Sequence, residues 1–227
     1  YTGGTTGVPK AAMLTHRNLV VNAIQMSRWL AASAASAERV IGAIPFFHVY
    51  GMTVAMNVAL YAGGALIVLP NPRPIEKVMQ AIQRERATLF PGVPAMYIGI
   101  VNHPQVGRYD LHSVRACISG SAPLPMEVQV RLGELTGGRL VEGYGLTEAA
   151  PVTHCNPIYG LRKAGSIGVP LPDTEARIMD YETFGEKPTG ETGELWVRGP
   201  QVMASYWGRP DETAAAITAD GWLRTGD

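Results

Sequence analysis

Residues 114–148 read VRACISGSAPLPMEVQVRLGELTGGRLVEGYGLTE, and this stretch decides the fold class. One apolar run begins near Val114 and a second begins near Arg139, and each leads into a glycine-containing turn. Short apolar runs that are bounded by turn residues are typical of buried strands. The two runs are therefore predicted to be strands of one sheet, with a helical stretch between them.

The same alternation extends toward the start of the chain. Further apolar runs begin near Val40, Ala65 and Ala87. Helical patterns separate them, and Pro74 opens one whose apolar positions are Ile75, Val78, Met79 and Ile82. Strands that alternate with helices form largely parallel sheets with helices on their faces. The predicted fold class is α/β, with a largely parallel sheet and flanking helices.

The first helix is predicted to follow Thr15. The hydroxyl of this residue can cap a helix. The apolar residues that follow recur at alternating spacings of four and three, at Leu19, Ala23, Met26 and Leu30. This spacing places them on one face of a helix, which we expect to pack against the core.

From residue 165 onward the pattern changes. Glycine and proline now punctuate short alternating segments such as residues 194–198, which predicts antiparallel strands joined by turns. We therefore divide the chain into an α/β subdomain at residues 1–164 and a smaller, mostly antiparallel β subdomain at residues 165–227. The second subdomain is predicted to contain one short helix at residues 211–217.

Composition and charge exclude several classes of protein. The chain is 46% hydrophobic and has 19 basic and 19 acidic residues, with no Lys/Arg-rich run. This balance argues against disorder, a nucleic-acid partner and a polybasic membrane patch.

Cys117 and Cys155 have no metal-ligand spacing, and we expect a reducing, cytoplasmic compartment and no disulfide. The chain lacks a signal peptide, an initial Met and a closing element, so we expect a fragment of a longer protein.

Residues 52–69 form an almost uncharged apolar run that approaches the length of a membrane-spanning helix. Asn57 and the pair Gly63 and Gly64 interrupt this run. The favoured interpretation is a helix, a glycine break and a buried strand at residues 65–69. The sequence leaves peripheral association with the inner face of a membrane open.

Residues 1–10, YTGGTTGVPK, combine glycines, threonine hydroxyls and one lysine. Glycines let backbone N–H groups approach an anion closely, and a lysine adds a compact positive charge, so the stretch is typical of a phosphate-binding loop. It is not a Walker-type loop, because Pro9 precedes Lys10 and Ala11 follows it, so that no hydroxyl is placed to hold magnesium. A flexible Gly/Thr linker is the alternative.

Unusual residues follow each predicted strand, at residues 45–48, 92–94, 119–123 and 143–148. Ligands of parallel sheets collect beyond the carboxyl ends of the strands. In the last of these segments Glu148 follows Thr147, and a carboxylate beside a hydroxyl suits Mg²⁺ and a phosphate oxygen.

Each of these single residues also has a structural explanation. Glu148 could cap a helix, Tyr144 could stack on a base or belong to the core, and His48 could be a functional or a buried structural histidine. Asp227 could accept from a sugar diol or be a turn residue.

Taken together, the motifs resemble AMP-forming adenylating enzymes over the full length of the chain. The opening loop, Pro-Phe-Phe-His (45–48), the Gly-Ser-Ala-Pro turn (120–123), residues 142–148, residues 193–199 and residues 222–227 occur in the order seen in that family. Residues 71–73, 141–144 and 165–170 bring the chain near its long-chain fatty acid–CoA ligases. It departs from the wider family at Gly3, Ala11 and Ser205.

The resemblance implies a set of nucleotide contacts. The phosphates would be held by Thr2, Thr5, Thr6, Gly7 and Lys10, with Thr147 on the α-phosphate. The adenine would be held by Gly120, Ser121, Ala122, Pro123, Tyr144 and Gly145, and the ribose by Asp227. Glu148 would hold Mg²⁺ and His48 would border the reacting carboxyl, so that Thr147, Glu148, Lys10 and His48 form the catalytic set.

The resemblance also implies the reaction. A carboxylic acid, a fatty acid in this branch, would displace pyrophosphate from ATP, and the acyl-adenylate would then acylate CoA. The family's catalytic lysine and most CoA contacts lie on a C-terminal domain that we expect to be missing here, together with sheet upstream of the loop. Small residues at Gly51, Ala55, Ala59 and Val93 would line an acyl tunnel.

Two other functions remain open at this point. An aryl- or short-chain acyl-CoA ligase, or a peptide-synthetase adenylation domain, would share the nucleotide motifs. The latter commonly has an aspartate near Phe-Phe-His to hold an amino group, and none stands there. The chain could also be a nucleotide-binding remnant without turnover. Acyl chain length and oligomeric state cannot be read from the sequence.

Overall fold

The computed structural model describes residues 1–3, 9–30 and 38–227. Its α-helices are α1 (His16–Leu30), α2 (Val58–Tyr61), α3 (Glu76–Glu85), α4 (Pro94–Val101), α5 (Met126–Thr136) and α6 (Pro210–Ala216). A π-helical segment, Gly51–Asn57, leads directly into α2, and 3-10 turns cover Val106–Arg108 and Thr147–Ala149. The helix that was predicted at residues 211–217 is confirmed as α6.

The described strands are β1 (Thr2–Gly3), β2 (Pro9–Lys10), β3 (Ala12–Met13), β4 (Arg39–Gly42), β5 (Ala65–Val68), β6 (Leu89–Gly92), β7 (Ala116–Ser119), β8 (Arg139–Gly145), β9 (Val152–Cys155), β10 (Val169–Pro170), β11 (Glu175–Met179), β12 (Glu194–Arg198), β13 (Ser205–Tyr206) and β14 (Leu223–Arg224). Strands β4 to β8 lie at or within two residues of the five apolar runs. The five predicted strands are therefore confirmed.

A mostly parallel sheet carries the fold, with the strand order β10-β9-β8-β7-β6-β4-β5. Strands β5, β4, β6, β7 and β8 are parallel to their neighbours, whereas β9 and β10 are antiparallel. The predicted α/β class is confirmed. Because the parallel strands run in one direction, the segments that follow β4, β6, β7 and β8 meet at one edge of the sheet.

Alternate residues of the central strands face two different cores. Val40 and Leu89 pack on one face of the sheet, with α1, the π-helical segment and α2. Ile41 and Phe90 pack on the other face, with α3, α4 and α5. Alternate side chains of a strand point to opposite faces of the sheet, and both faces are buried here. The strands are therefore apolar at nearly every position.

Helix α1 begins as predicted, with a reciprocal cap. The Asn18 backbone N–H donates to Thr15 Oγ1 (3.2 Å) and the Thr15 backbone N–H donates to Asn18 Oδ1 (2.8 Å). Asn18 Nδ2 also donates to the carbonyls of Pro200 and Val202, both at 2.8 Å. A helix of the α/β part is thereby hydrogen-bonded to the later, β-rich part of the chain.

The β-rich part contains an antiparallel sheet of β11, β12 and β14. Not every strand after residue 165 belongs to this sheet, because β10 pairs with β9 of the large sheet and β13 pairs with β3. The division of the chain at residue 165 stays a prediction.

The apolar run at residues 52–69 is divided among the π-helical segment, α2, a turn at Gly63 (φ +63°) and β5. Within the described ranges, no helix has both the length and the apolarity that a membrane crossing requires. The prediction of a buried strand here is wrong, because β5 is the edge strand of the sheet and, among the strands that the structure describes, has only β4 as a neighbour. Val68 is accordingly 50% exposed.

Candidate active site

A cleft of about 250 Å³ opens where β7 and β8 end and the segment after β4 begins. It brings together seven of the predicted site residues: Thr2, His48, Gly120, Ser121, Tyr144, Gly145 and Thr147. Its remaining walls are mainly apolar and include Val49, Tyr50, Ile118 and Val152. Residues from four separate segments thus meet in one cavity, which we call the apolar cleft.

Close packing shapes the floor of the apolar cleft. The buried Tyr50 hydroxyl donates to the Ile118 carbonyl at 2.7 Å, which fixes the ring between β6 and β7. A Cβ atom on Gly120 would lie 3.3 Å from this ring. At position 145 a Cβ atom would overlap the Pro151 carbonyl. The two glycines therefore let the backbone approach its neighbours where a side chain would fill the space.

A second cleft, of about 560 Å³, adjoins the first and shares Ser121 and Tyr144 with it. Its lining adds three more predicted residues, Ala122, Pro123 and Asp227. The Tyr144 hydroxyl donates a short hydrogen bond to Asp227 Oδ2. Burial, and then this bond to Asp227, raise the pKa of Tyr144, so its hydroxyl stays protonated as a donor. Because the carboxylates of Glu142 and Asp227 line it, we call this cavity the polar cleft.

Glu142 holds two walls of the polar cleft in place. Its Oε1 accepts from the Leu124 backbone N–H at 3.2 Å, and its Oε2 accepts from the Gly165 backbone N–H at 3.0 Å. Gln129 Nε2 donates to Oε2 as well, at 3.2 Å. Glu142 is part of the motif at residues 142–148, but no role was predicted for it. A signal was available, since Glu142 places a carboxylate directly after Leu140 and Val141 in a stretch that was predicted to be a strand.

Glu148 and Lys10 lie outside both clefts and meet at a third residue, Tyr206. The Glu148 side chain is buried, and its Oε1 accepts from the Tyr206 hydroxyl at 2.8 Å. Lys10 Nζ lies 5.0 Å from the centroid of the Tyr206 ring and 2.8 Å from Glu212 Oε2. Tyr206 and Glu212 were not predicted as site residues, because their partners are more than fifty residues away in the chain.

The structure shows where two further predicted site residues, Tyr144 and His48, lie. Tyr144 lies within β8 and not in a turn after it, because the antiparallel partner β9 extends the ladder to Gly145. His48 is exposed, and its Nδ1 accepts from the Tyr50 backbone N–H at 3.3 Å, so it is not a buried core histidine. The predicted phosphate contacts Thr5, Thr6 and Gly7 lie outside the described residues.

The described residues contain no cluster of three or more His, Cys, Asp or Glu side chains that could hold a metal ion. Magnesium sites of nucleotide enzymes need fewer protein ligands, since one or two carboxylates act together with substrate phosphates. Among the described hydrogen bonds, Glu148 uses only Oε1. A carboxylate with one oxygen outside the described hydrogen bonds suits a Mg²⁺ ion, and Glu148 is the residue that would hold it.

Gly51, Ala55 and Ala59 do not line a tunnel in the described structure. Ala55 and Ala59 are fully buried in the core cluster between α1 and the sheet. A Cβ atom on Gly51 would lie 2.6 Å from the Pro45 carbonyl oxygen. The prediction of a tunnel lining is therefore wrong for these three residues, because their small size serves close helix packing.

His154 lies beneath the site and should make the fold sensitive to acid. Its side chain is buried, its ring centroid lies 6.2 Å from that of Tyr144, and burial lowers its pKa to about 4. An unfolded chain binds this proton near pH 6.5. Between these two values the unfolded state holds more protons, so stability is lost as the pH falls from about 6.5 to 4.

We expect His154→Gln to remove about 2 kcal/mol of the stability difference between pH 7 and pH 5. Urea unfolding at the two pH values measures this difference. His16→Gln, at an exposed helix position, is the control and should leave the difference unchanged. Equal pH dependence in wild type and His154→Gln would contradict the prediction.

Known proteins are similar to this chain over its whole length. A family model described as AMP-binding enzyme matches residues 1–207. The chain is 51% identical to the long-chain-fatty-acid–CoA ligase of Bacillus subtilis over 227 residues, which is all of this chain and 40% of that protein. It is 41% identical to a feruloyl-CoA synthase of Amycolatopsis, covering 45% of that protein.

Among solved structures, ATP-bound MatB from Rhodopseudomonas palustris superposes with a TM-score of 0.88 at 37% identity. That match covers all of this chain and 44% of the MatB chain. The chain thus spans less than half the length of these relatives.

Proposed function

Because the chain belongs to the AMP-binding enzyme family, we propose that the protein containing it activates a carboxylic acid with ATP and transfers the acyl group to CoA. The carboxylate attacks the α-phosphorus, pyrophosphate leaves, and the acyl-adenylate reacts with the CoA thiol to release AMP. The observation that carries the proposal is the pair of adjoining clefts that share Tyr144, of which only the second is lined by carboxylates, those of Glu142 and Asp227.

The polar cleft would receive the nucleoside. In this proposal the 120–123 turn and the Tyr144 ring enclose the adenine, and Asp227 accepts from the ribose hydroxyls. Asp227 is exposed, and its bond to Tyr144 already orients the carboxylate at the rim of the cleft. A ribose diol would exchange with the tyrosine hydroxyl as a donor to the same carboxylate.

The apolar cleft would receive the carboxylic acid. Val49, Tyr50 and Ile118 offer the apolar contacts that an acyl or aryl group requires. His48 and Thr147 line the same cleft, where they would border the reacting carboxyl and the α-phosphate.

Charge neutralisation would complete the site. Phosphoryl and adenylyl transfer depend on positioning and on charge stabilisation more than on a strong base. A bound Mg²⁺ would supply charge to the phosphates, and we propose Glu148 as its protein ligand. Lys10, with Thr2, Thr5, Thr6 and Gly7 of the opening loop, would hold the departing phosphates.

The substrate is proposed to be a long-chain fatty acid, on the strength of the 51% identity to the Bacillus subtilis ligase. An aryl acid is the second candidate, since the chain is also 41% identical to a feruloyl-CoA synthase.

We further propose a cytoplasmic enzyme, with an α/β subdomain at residues 1–164 and a β-rich one at residues 165–227.

The test uses the full-length protein with ATP, Mg²⁺ and a panel of long-chain, short-chain, aryl and amino acids. Pyrophosphate release and the acyl-adenylate are followed by mass spectrometry, and CoA is then added to detect the thioester. We expect turnover to be fastest with long-chain fatty acids. Nucleotide binding with no adenylate from any acid would indicate a non-catalytic nucleotide-binding protein instead.

Asp227→Ala is expected to raise the ATP concentration for half-maximal adenylation about 10- to 150-fold, because it removes a hydrogen bond to a charged acceptor worth about 1.5–3 kcal/mol. The maximal rate should change less than this. Asp211→Ala, at an exposed carboxylate of α6, is the matched control. An unchanged ATP dependence in Asp227→Ala would contradict the ribose role.

A further inference from the structure

Tyr206 touches both charged residues of the proposed phosphate and metal site. Its hydroxyl donates to Glu148 Oε1 at 2.8 Å, and the Lys10 ammonium lies 5.0 Å from the centroid of its ring. Tyr206 is only 8% exposed, so these contacts are shielded from solvent. One side chain from β13 therefore contacts a carboxylate and a cation that are far apart in the sequence.

The backbone around Tyr206 reinforces this arrangement. The Met203 backbone N–H donates to the Glu148 carbonyl at 2.7 Å, and the Trp207 backbone N–H donates to the Ala11 carbonyl at 2.8 Å. Residues 203–207 are thus hydrogen-bonded both to the turn that carries Glu148 and to the residue next to Lys10. Thr213 Oγ1 accepts from the Tyr206 backbone N–H at 2.9 Å and anchors the strand to α6.

The hydroxyl bond leaves one Glu148 oxygen for another partner. Among the described residues, only Oε1 of this carboxylate has a hydrogen-bond donor. A neutral phenol donor lets the carboxylate keep its full negative charge, whereas an arginine or lysine at the same place would neutralise it. A fixed carboxylate with one free oxygen is preorganised for a divalent cation, since little side-chain freedom remains to be lost on binding.

From this geometry we propose that Tyr206 is a positioning residue for adenylation: its hydroxyl orients Glu148 toward Mg²⁺·ATP, and its ring holds the Lys10 ammonium beside that site. The proposal rests on the function proposed above. Tyr206 itself contacts neither substrate nor metal, and it acts through Glu148 and Lys10.

Glu212 completes the resting position of Lys10. Its Oε2 lies 2.8 Å from Lys10 Nζ, and this contact with the ammonium lowers the pKa of Glu212. Phosphate oxygens of a nucleotide would compete with Glu212 for the same ammonium. The aromatic ring can remain in contact with Lys10 during this exchange, because a cation–π contact uses the ring face and leaves the ammonium hydrogens free.

The test compares Tyr206→Phe with wild type in the full-length protein. Phe keeps the ring, and with it the contact to Lys10, but removes the donor to Glu148. We expect the Mg²⁺ concentration for half-maximal adenylation to rise about tenfold, with the rate restored by excess Mg²⁺. Tyr206→Leu removes the ring as well and should raise the ATP requirement by a further factor of about 3.

Binding without turnover supplies a second readout. Titration of Mn²⁺ into protein and ATP, with the carboxylic acid omitted, reports metal binding by electron paramagnetic resonance. We expect Tyr206→Phe to weaken it about tenfold. Tyr181→Phe, at a tyrosine that is 57% exposed, is the matched control and should change neither measurement. Melting curves establish that each variant is folded.

Two outcomes would overturn the proposal. One is a Tyr206→Phe variant with the metal dependence of wild type. The other is a folded variant that loses rate with no shift in metal dependence, which would mean that Tyr206 acts only in packing. Failure of the proposed function is distinguishable, because wild type itself would then form no adenylate.

Discussion

Glu148→Gln in the full-length protein is expected to lower the maximal rate of adenylate formation about 100- to 1000-fold. Loss of one preorganised charge-stabilising contact costs roughly 2.7–4 kcal/mol in the transition state. Glutamine keeps the size of the side chain and can still accept from the Tyr206 hydroxyl, so the packing of this buried position is preserved. The effect should therefore fall on catalysis and metal use, with little effect on the fold.

The measurement is pyrophosphate release at several Mg²⁺ concentrations, with ATP and the preferred carboxylic acid in excess. Glu182→Gln, at an exposed carboxylate in the β-rich part, serves as the control and should retain the wild-type rate. Unchanged activity of Glu148→Gln at limiting Mg²⁺ would rule out Glu148 as the metal ligand.

Ala55→Trp is expected to destabilise the protein by more than about 3 kcal/mol, the upper end of the usual cost of added methylene groups in a packed core. Ala55 is fully buried between α1 and the sheet, where an indole ring has no space. The acyl-tunnel hypothesis predicted a different result, namely selective loss of activity on long acyl chains. Because the structure packs Ala55 into the core, we expect equal loss on all substrates.

Urea unfolding and residual activity on short and long acids test this prediction together. Leu60→Trp is the matched control, because Leu60 is in the adjoining helix and is 67% exposed. Its stability should change by no more than about 0.5 kcal/mol. A stable Ala55→Trp variant with a defect only on long chains would restore the tunnel hypothesis.

Much of the fold could be predicted because its signals are local. The five parallel strands are short apolar runs with turn residues at their ends, and each strand begins within two residues of its predicted start. Helix α1 begins directly after Thr15, whose capping hydroxyl and its partner Asn18 lie in one short segment. The wrong prediction, a buried β5, concerned sheet position, which depends on neighbours and not on the composition of the strand.

The candidate site, like the fold, could be predicted where its signals are local. The residues that line the clefts were found from motifs, because glycines, a tyrosine and a threonine at or just beyond the ends of strands are visible one segment at a time. Tyr206 and Glu142 were missed as functional residues. Each acts through partners from other segments, and the local signal at Glu142, a carboxylate within a predicted strand, does not say which groups it contacts.

The sequence by itself determined the elements, their alternation and the set of chemically suitable residues around positions 120, 144 and 227. These properties follow from hydrophobic period, turn chemistry and capping, which act over a few residues. Only the tertiary structure decided that Tyr144 reaches Asp227 and that Tyr206 joins Glu148 to Lys10. Such contacts join residues more than fifty positions apart, and packing of the whole chain brings them together.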